Sequence, residues 1–207
     1  MSPEPIDLLR EGLEGRLGQQ IGFVAEIGHL RTVMRTALVD GGRTRENDAE
    51  HSWHVALMAA TLCEYADRPV DSSRVIRMLL VHDLVEIDAG DVMIYDEAGR
   101  QDQVARKLAA AERIFNVLPS DQAAEFRALW DEFEALQTAE SVFARAIDCL
   151  QPMLLNYLGG GAAWREHGIT ADQVRRINRP IADGAPRLWD LARELIDDAV
   201  RRGWLPD

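Results

Sequence analysis

The sequence predicts an all-α protein, and three observations carry that expectation. Apolar residues recur at intervals of three and four along almost the whole chain, the period of a helix with one buried face. Alternating apolar and polar runs bounded by turn residues, the mark of strands, are missing. The periodic segments are joined by short connections, with no linker, repeat or low-complexity tract. The 207 residues therefore read as a single compact helical bundle, long enough to bury a core without disulfides.

Capping and stop signals place the elements. A first helix covers about Ile6–Leu17, and a second about Ile21–Val39 that Gly41-Gly42 stops. Asp48 is a good N-cap for a third, which carries Val55, Leu57, Met58, Ala59, Leu62 and Cys63 inward and ends before Pro69. A fourth opens at Asp71 or Ser72 and runs through Val75, Ile76, Leu79, Leu80 and His82 to about Asp88, where Gly90 closes it. The polar loop Asp91–Gly99 suits either a lid or a plain connection. Two amphipathic helices follow, about Gln101–Val117 and Asp121–Gln137, split by Leu118-Pro119-Ser120. The next spans about Ala139–Leu158. Gly159-Gly160-Gly161 after it lacks the flanking signals of a phosphate loop and reads as a helix stop. Helices at about Trp164–Arg179 and Pro186–Arg202 finish the chain, with Trp130, Trp164, Trp189 and Trp204 packing this end. Trp53 reads as core.

A hydrophobic fraction of 47% and a charged fraction of 28% are those of an ordinary folded protein. Acidic residues outnumber basic ones 35 to 23, for a net charge of −12. That field repels phosphate backbones and anionic lipid, so nucleic-acid polymers and membrane surfaces are excluded as general partners. No run approaches the ~20 apolar residues of a membrane span. The acidic start lacks a signal-peptide pattern, and Cys63 and Cys149 read as free buried thiols, so a reducing cytoplasm is expected.

The chemistry-bearing residues cluster. Glu50-His51-Ser52-Trp53-His54 lies on the third helix, and the apolar stretch Met78–Val81 runs straight into His82-Asp83-Leu84-Val85-Glu86. Unpaired buried carboxylates are costly, so these need partners or a metal. Glu86, four residues after His82 and three after Asp83, falls on their side of a helix. Asp91, after the Gly90 stop, can fold back towards them. Asp148 is a lone carboxylate on an apolar helix face, and Arg145 three residues before it is a ready salt-bridge partner. Two histidines and two carboxylates around one centre suit a divalent first-row metal, and a core of satisfied histidines and ion pairs is the alternative.

A histidine, a later His-Asp pair and a distant aspartate, here His51, His82, Asp83 and Asp148, resemble the HD-domain superfamily of metal-dependent phosphohydrolases. The strings Arg43–Ser52, His82–Glu86 with Gly90-Asp91, and Ala146-Ile147-Asp148 look like its 5′-deoxynucleotidase branch over roughly residues 20–200. The resemblance implies that His51, His82, Asp83 and Asp148 hold one divalent ion, manganese, cobalt, iron, nickel or zinc. It implies that Glu86 orients or deprotonates the attacking water and that Asp91 assists proton transfer to the leaving alkoxide. Arg35 falls near a phosphate-binding arginine of that branch, and a guanidinium suits a bidentate phosphate contact. Arg106 and Lys107 are further candidate phosphate contacts. The branch places a tryptophan just after its arginine, whereas Thr36, Ala37 and Leu38 follow here. His54 also departs from the branch and reads as a supporting or core residue.

The expected activity is hydrolysis of a small phosphate monoester, with a nucleoside 5′-monophosphate favoured and a homodimer suggested by the resemblance. Other HD enzymes act on cyclic nucleotides or polyphosphates. Ile87 stands where alarmone hydrolases carry an acidic residue, and the Gly-Tyr-Pro motif of the cyclic-dinucleotide branch is absent. A non-catalytic metal-stapled sensor is the remaining alternative, though Glu86 and Asp91 would then be superfluous.

Overall fold

The computed structural model describes residues 15–91 and 102–206. Residues 6–14 of the expected first helix, and the possible lid residues Tyr95, Asp96 and Glu97, lie outside them. Helix α1 (Gly15–Ile27) leads through a 3-10 turn (Gly28–Thr32) into a hairpin of β1 (Met34–Val39) and β2 (Thr44–Asn47). Helices α2 (Asp48–Leu62), α3 (Ser72–Val81) and the short α4 (Glu86–Ala89) follow. After residue 102 come α5 (Gln103–Phe115), α6 (Ser120–Ala135), α7 (Ala139–Leu158) and α8 (Ala162–Glu166). The last three are α9 (Ala171–Ile177), α10 (Pro180–Gly184) and α11 (Pro186–Arg201). The fold is mostly helical, as expected, apart from the two strands.

Four boundaries differ from the sequence reading. Helix α1 runs unbroken through Leu17–Ile21 and stops at Ile27, and the segment expected to continue a helix to Val39 is strand β1. It pairs antiparallel with β2, Leu38 opposite Arg45 and Val39 opposite Thr44. Asp40, Gly41 and Gly42 all have positive φ, so the glycines make a hairpin turn as well as a stop. Gly42 also packs on the end of α7, where a Cβ would stand 3.3 Å from the Gly159 carbonyl oxygen.

The expected fourth helix breaks at His82–Val85. There the N–H groups reach back three residues, Leu84 to Val81 and Glu86 to Asp83, in place of four. The expected helix at Trp164–Arg179 is likewise two, because Gly168, at φ +62°, ends α8. The cap of α2 is Asn47 and not Asp48. The Asn47 amide oxygen accepts from the N–H of Ala49 and Glu50, and Glu50 accepts from the Asn47 N–H.

Two apolar clusters hold the fold. One joins Val55, Val75, Phe133, Phe143, Ile147, Trp164, Ile181 and Ile196 across α2, α3, α6, α7 and the C-terminal helices. The other packs Phe23, Leu30, Val81, Leu84, Ile114, Phe115 and Trp130. Burying each large apolar side chain contributes about 1.5–3 kcal/mol before entropy is counted. Leu57, Leu80 and Trp53 were expected inside, yet 52%, 46% and 63% of their surfaces are exposed. The inward faces of α2 and α3 are narrower than the sequence suggests and are filled by Val55, Ala59, Val75, Met78 and Leu79.

Candidate metal centre and active-site pocket

Four side chains from three parts of the chain meet at one point. His51 stands one turn into α2, His82 and Asp83 follow the end of α3, and Asp148 lies midway along α7. His51 Nε2 is 3.1 Å from Asp148 Oδ1 and 3.7 Å from Asp83 Oδ2. His82 Nε2 is 3.2 Å from Asp83 Oδ2 and 3.6 Å from Asp148 Oδ1. Both histidines are buried. His51, His82 and Asp83 offer donor atoms all within 4.8 Å of one another, the spacing of a group that could hold a metal ion.

The donors are also prepared on their outer sides. His82 Nδ1 lies 2.7 Å from the Leu79 carbonyl oxygen and donates to it, so Nε2 is the nitrogen that faces inward. That Nε2 is buried and has no hydrogen-bond partner among the described residues. A nitrogen placed against two carboxylates takes up a proton or faces a cation, and imidazole with carboxylate is a first-row metal's donor set. Arg145 donates to Asp148 Oδ2 at 3.0 Å, leaving Oδ1 to face the imidazoles, and its guanidinium lies 4.2 Å from the Phe133 ring centre. The ion pair expected between Arg145 and Asp148 thus exists beside the cluster and does not replace it.

The field at the centre is strongly negative. Burial disfavours a charged His82 ring, but Asp83 and Asp148 outweigh it and push the imidazole up to about 10. Burial likewise disfavours the Asp83 and Asp148 carboxylates, yet the facing histidines hold both well below the usual range.

A pocket opens onto this centre. Asp83, Asp148, Glu86, Asp91, Arg35 and Lys107 all line it. Met153, Asn156, Trp164, His167, Ile169 and Asn178 also line it. Of the residues singled out for chemistry, His51, His82, His54 and Arg106 do not line the pocket; the two metal-site histidines lie buried behind Asp83 and Asp148, and Arg106 is exposed. Glu86 is buried, its Oε1 paired with Lys107 Nζ at 2.7 Å and its Oε2 without a hydrogen-bond partner among the described residues. Burial pushes the Glu86 carboxyl up to about 7 against the pull of Lys107, with Asp83 adding to the rise. Burial also raises Asp91.

Arg35, on β1, is braced rather than free on the surface. Its Nη1 donates to Asp48 Oδ1 and Asp83 Oδ2, both at 2.9 Å. Asp48, released from capping, is pushed up to about 7 by burial and by Asp83. Sequence reasoning missed Glu46, Asp48 and Gln151. Their one available signal was a cluster of polar residues on faces that packing requires to be buried. Trp164 packs the C-terminal end as expected, and also lines the pocket.

A helical fold whose polar floor gathers two histidines and two aspartates defines a domain of the metal-site class. The chain belongs to the HD domain family, whose pattern matches residues 27–189. It is similar to the human 5′-deoxynucleotidase HDDC2, 30% identical over 133 residues, 64% of each chain, so it spans just under two thirds of that relative's length. The Schizosaccharomyces pombe 5′-deoxynucleotidase hdd1 is 25% identical over 192 residues, 90% of this chain and 87% of that one. A crystal structure described as a predicted metal-dependent phosphohydrolase from Magnetospirillum magnetotacticum MS-1 covers all of both chains, with 50% identity and a TM-score of 0.89.

Proposed function

We propose that the chain is a divalent-metal-dependent phosphomonoesterase acting on a small phosphorylated metabolite, with a nucleoside 5′-monophosphate as substrate. The carrying observation is the orphaned His82 Nε2 facing Asp83 and Asp148 beneath a pocket that adds Glu86, Asp91, Arg35 and Lys107. His51, His82, Asp83 and Asp148 would hold one divalent cation. Bound there, it would polarise a phosphoryl oxygen and make water more acidic.

The protein's own groups supply the rest. Glu86 keeps Oε1 on Lys107, so Oε2 is the oxygen left to orient the attacking water and take its proton. Asp91, at the pocket wall and raised by burial, assists proton transfer to the leaving alkoxide. Arg35 is fixed by Asp48 and Asp83 and offers positive charge to the phosphate without having to be ordered first. Lys107 adds a second cation at the same wall. The pairing of nucleotidase relatives with a pocket lined also by Met153, Asn156, Trp164 and Ile169 supports a nucleoside over a bare phosphate.

The test is phosphate release by metal-stripped protein reloaded with manganese, cobalt, nickel, zinc or magnesium. The panel holds ribo- and deoxyribonucleoside 5′-monophosphates and an aryl phosphate. Metal-dependent release from the nucleotides is expected. No release with any metal would contradict the reading in favour of a diester or polyphosphate enzyme or a metal-stapled sensor.

A further inference from the structure

We infer that Gln151 is a positioning residue that sets which nitrogen of His51 carries hydrogen, and that Glu46 dictates how Gln151 is turned. The inference rests on the metal reading of the site. A side-chain amide has a donor end and an acceptor end, and its neighbours decide which faces where. Glu46 is buried, and a carboxylate only accepts, so Gln151 presents Nε2 to Glu46 Oε1. The same Nε2 lies 3.1 Å from His54 Nδ1, which accepts from it. The amide oxygen is thereby left facing His51 Nδ1 at 3.1 Å. An oxygen there can only accept, so Nδ1 is the protonated nitrogen. That leaves Nε2, which without a cation donates to Asp148 Oδ1 at 3.1 Å, as the nitrogen that gives up its hydrogen and turns its lone pair to a metal between Asp148 and Asp83.

Gln151 is wholly buried and is not among the residues that line the pocket, so direct contact with substrate is not its role. It sits three residues after Asp148 on α7, and one helix therefore supplies both a ligand and the group that orients another. His82 obtains the same orientation from a backbone carbonyl, which no substitution removes. His51 depends on a chain of two side chains, which substitution can break. Outer partners of this kind typically change metal affinity by ~10–100-fold.

The experiment measures the cobalt dissociation constant by chelator competition in wild-type protein, Q151M and the exchange variant E46Q/Q151E. Q151M is expected to bind cobalt ~10–100-fold more weakly. The exchange keeps an acceptor against His51 and a donor behind it, so its affinity is expected to return to within a few-fold of wild type, with the wild-type cobalt spectrum. Equal affinity in wild type and Q151M would overturn the inference. So would an exchange variant that folds but binds as weakly as Q151M, because packing and not polarity would then be the cause. If Q151M fails to fold, the exchange variant decides alone: restored binding supports the relay and a tenfold loss contradicts it. Wild-type protein that binds no cobalt would overturn the metal reading and this inference together, whereas binding that is equal in all three would leave the metal reading intact.

Discussion

Lys107 Nζ stands 2.7 Å from Glu86 Oε1, and this contact sets the ionisation of the proposed general base. Burial pushes the Glu86 carboxyl up to about 7, Asp83 pushes the same way, and Lys107 opposes both. In K107M the opposition is gone and the carboxyl stays protonated to higher pH. Turnover that requires the carboxylate should then rise later with pH. The measurement is kcat against pH. The acid limb is expected to move upward, with about a tenfold loss below it for each unit moved. An unmoved limb would remove Glu86 from the role of base.

The ligand and the base should separate in a pair of variants. D83N takes away a charged donor from the centre and the partner of Arg35, and is expected to lose both metal and activity. E86Q leaves the four donors untouched. It is expected to retain metal while kcat falls by about 10²–10⁴-fold, the usual worth of general base help. Metal content by elemental analysis beside phosphate release checks both.

Gly184 is where α10 presses closest on α7. A Cβ there would meet the Val142 carbonyl oxygen at 2.4 Å and Ala146 Cβ at 2.8 Å. Backbone cannot move aside as a flexible side chain can. G184A is therefore expected to cost about 1–3 kcal/mol and to lower Tm by roughly 2–10 °C. Gly184 does not line the pocket, so activity per folded molecule should hold. Thermal melting beside kcat tests it, and an unchanged Tm would contradict the close packing.

Cys149 adjoins Asp148, and burial with that neighbour pushes its thiol up to about 12 against Arg145. Its thiolate fraction at pH 8 is on the order of 10⁻⁴. Cys63 is only half-buried. Titration with an aromatic disulfide should find one reactive thiol in native protein and a second after denaturation. Two thiols reacting at once would contradict the burial of Cys149.

Much of this architecture is legible in the sequence because it rests on local rules. The helix from Ala139 to Leu158 shows its apolar period and its glycine stop, and the structure keeps both ends. Polar residues on apolar faces pointed to His51, His82, Asp83 and Asp148 but left ion pairs as an alternative, and the resemblance to HD-domain phosphohydrolases is what implied their gathering. The hairpin was not legible because Met34, Ala37 and Leu38 are good helix formers and the strand burial does not alternate cleanly. Nor was the turn at His82–Val85, since the apolar period runs on through it while the hydrogen bonds tighten. Gln151 carried no mark beyond a polar side chain on a buried helix face. Its role comes from a glutamate and a histidine about a hundred residues away in sequence, which only the fold brings together.

The central claim is that one metal, held by His51, His82, Asp83 and Asp148, is required for phosphate release. The most direct measurement titrates metal into stripped protein while recording both bound metal per chain and the rate of phosphate release from a deoxynucleoside 5′-monophosphate. The account predicts that the rate climbs in proportion to bound metal and levels off at one ion per chain, and that D148N shows neither. Full turnover by stripped protein, or undiminished turnover by D148N, would contradict it.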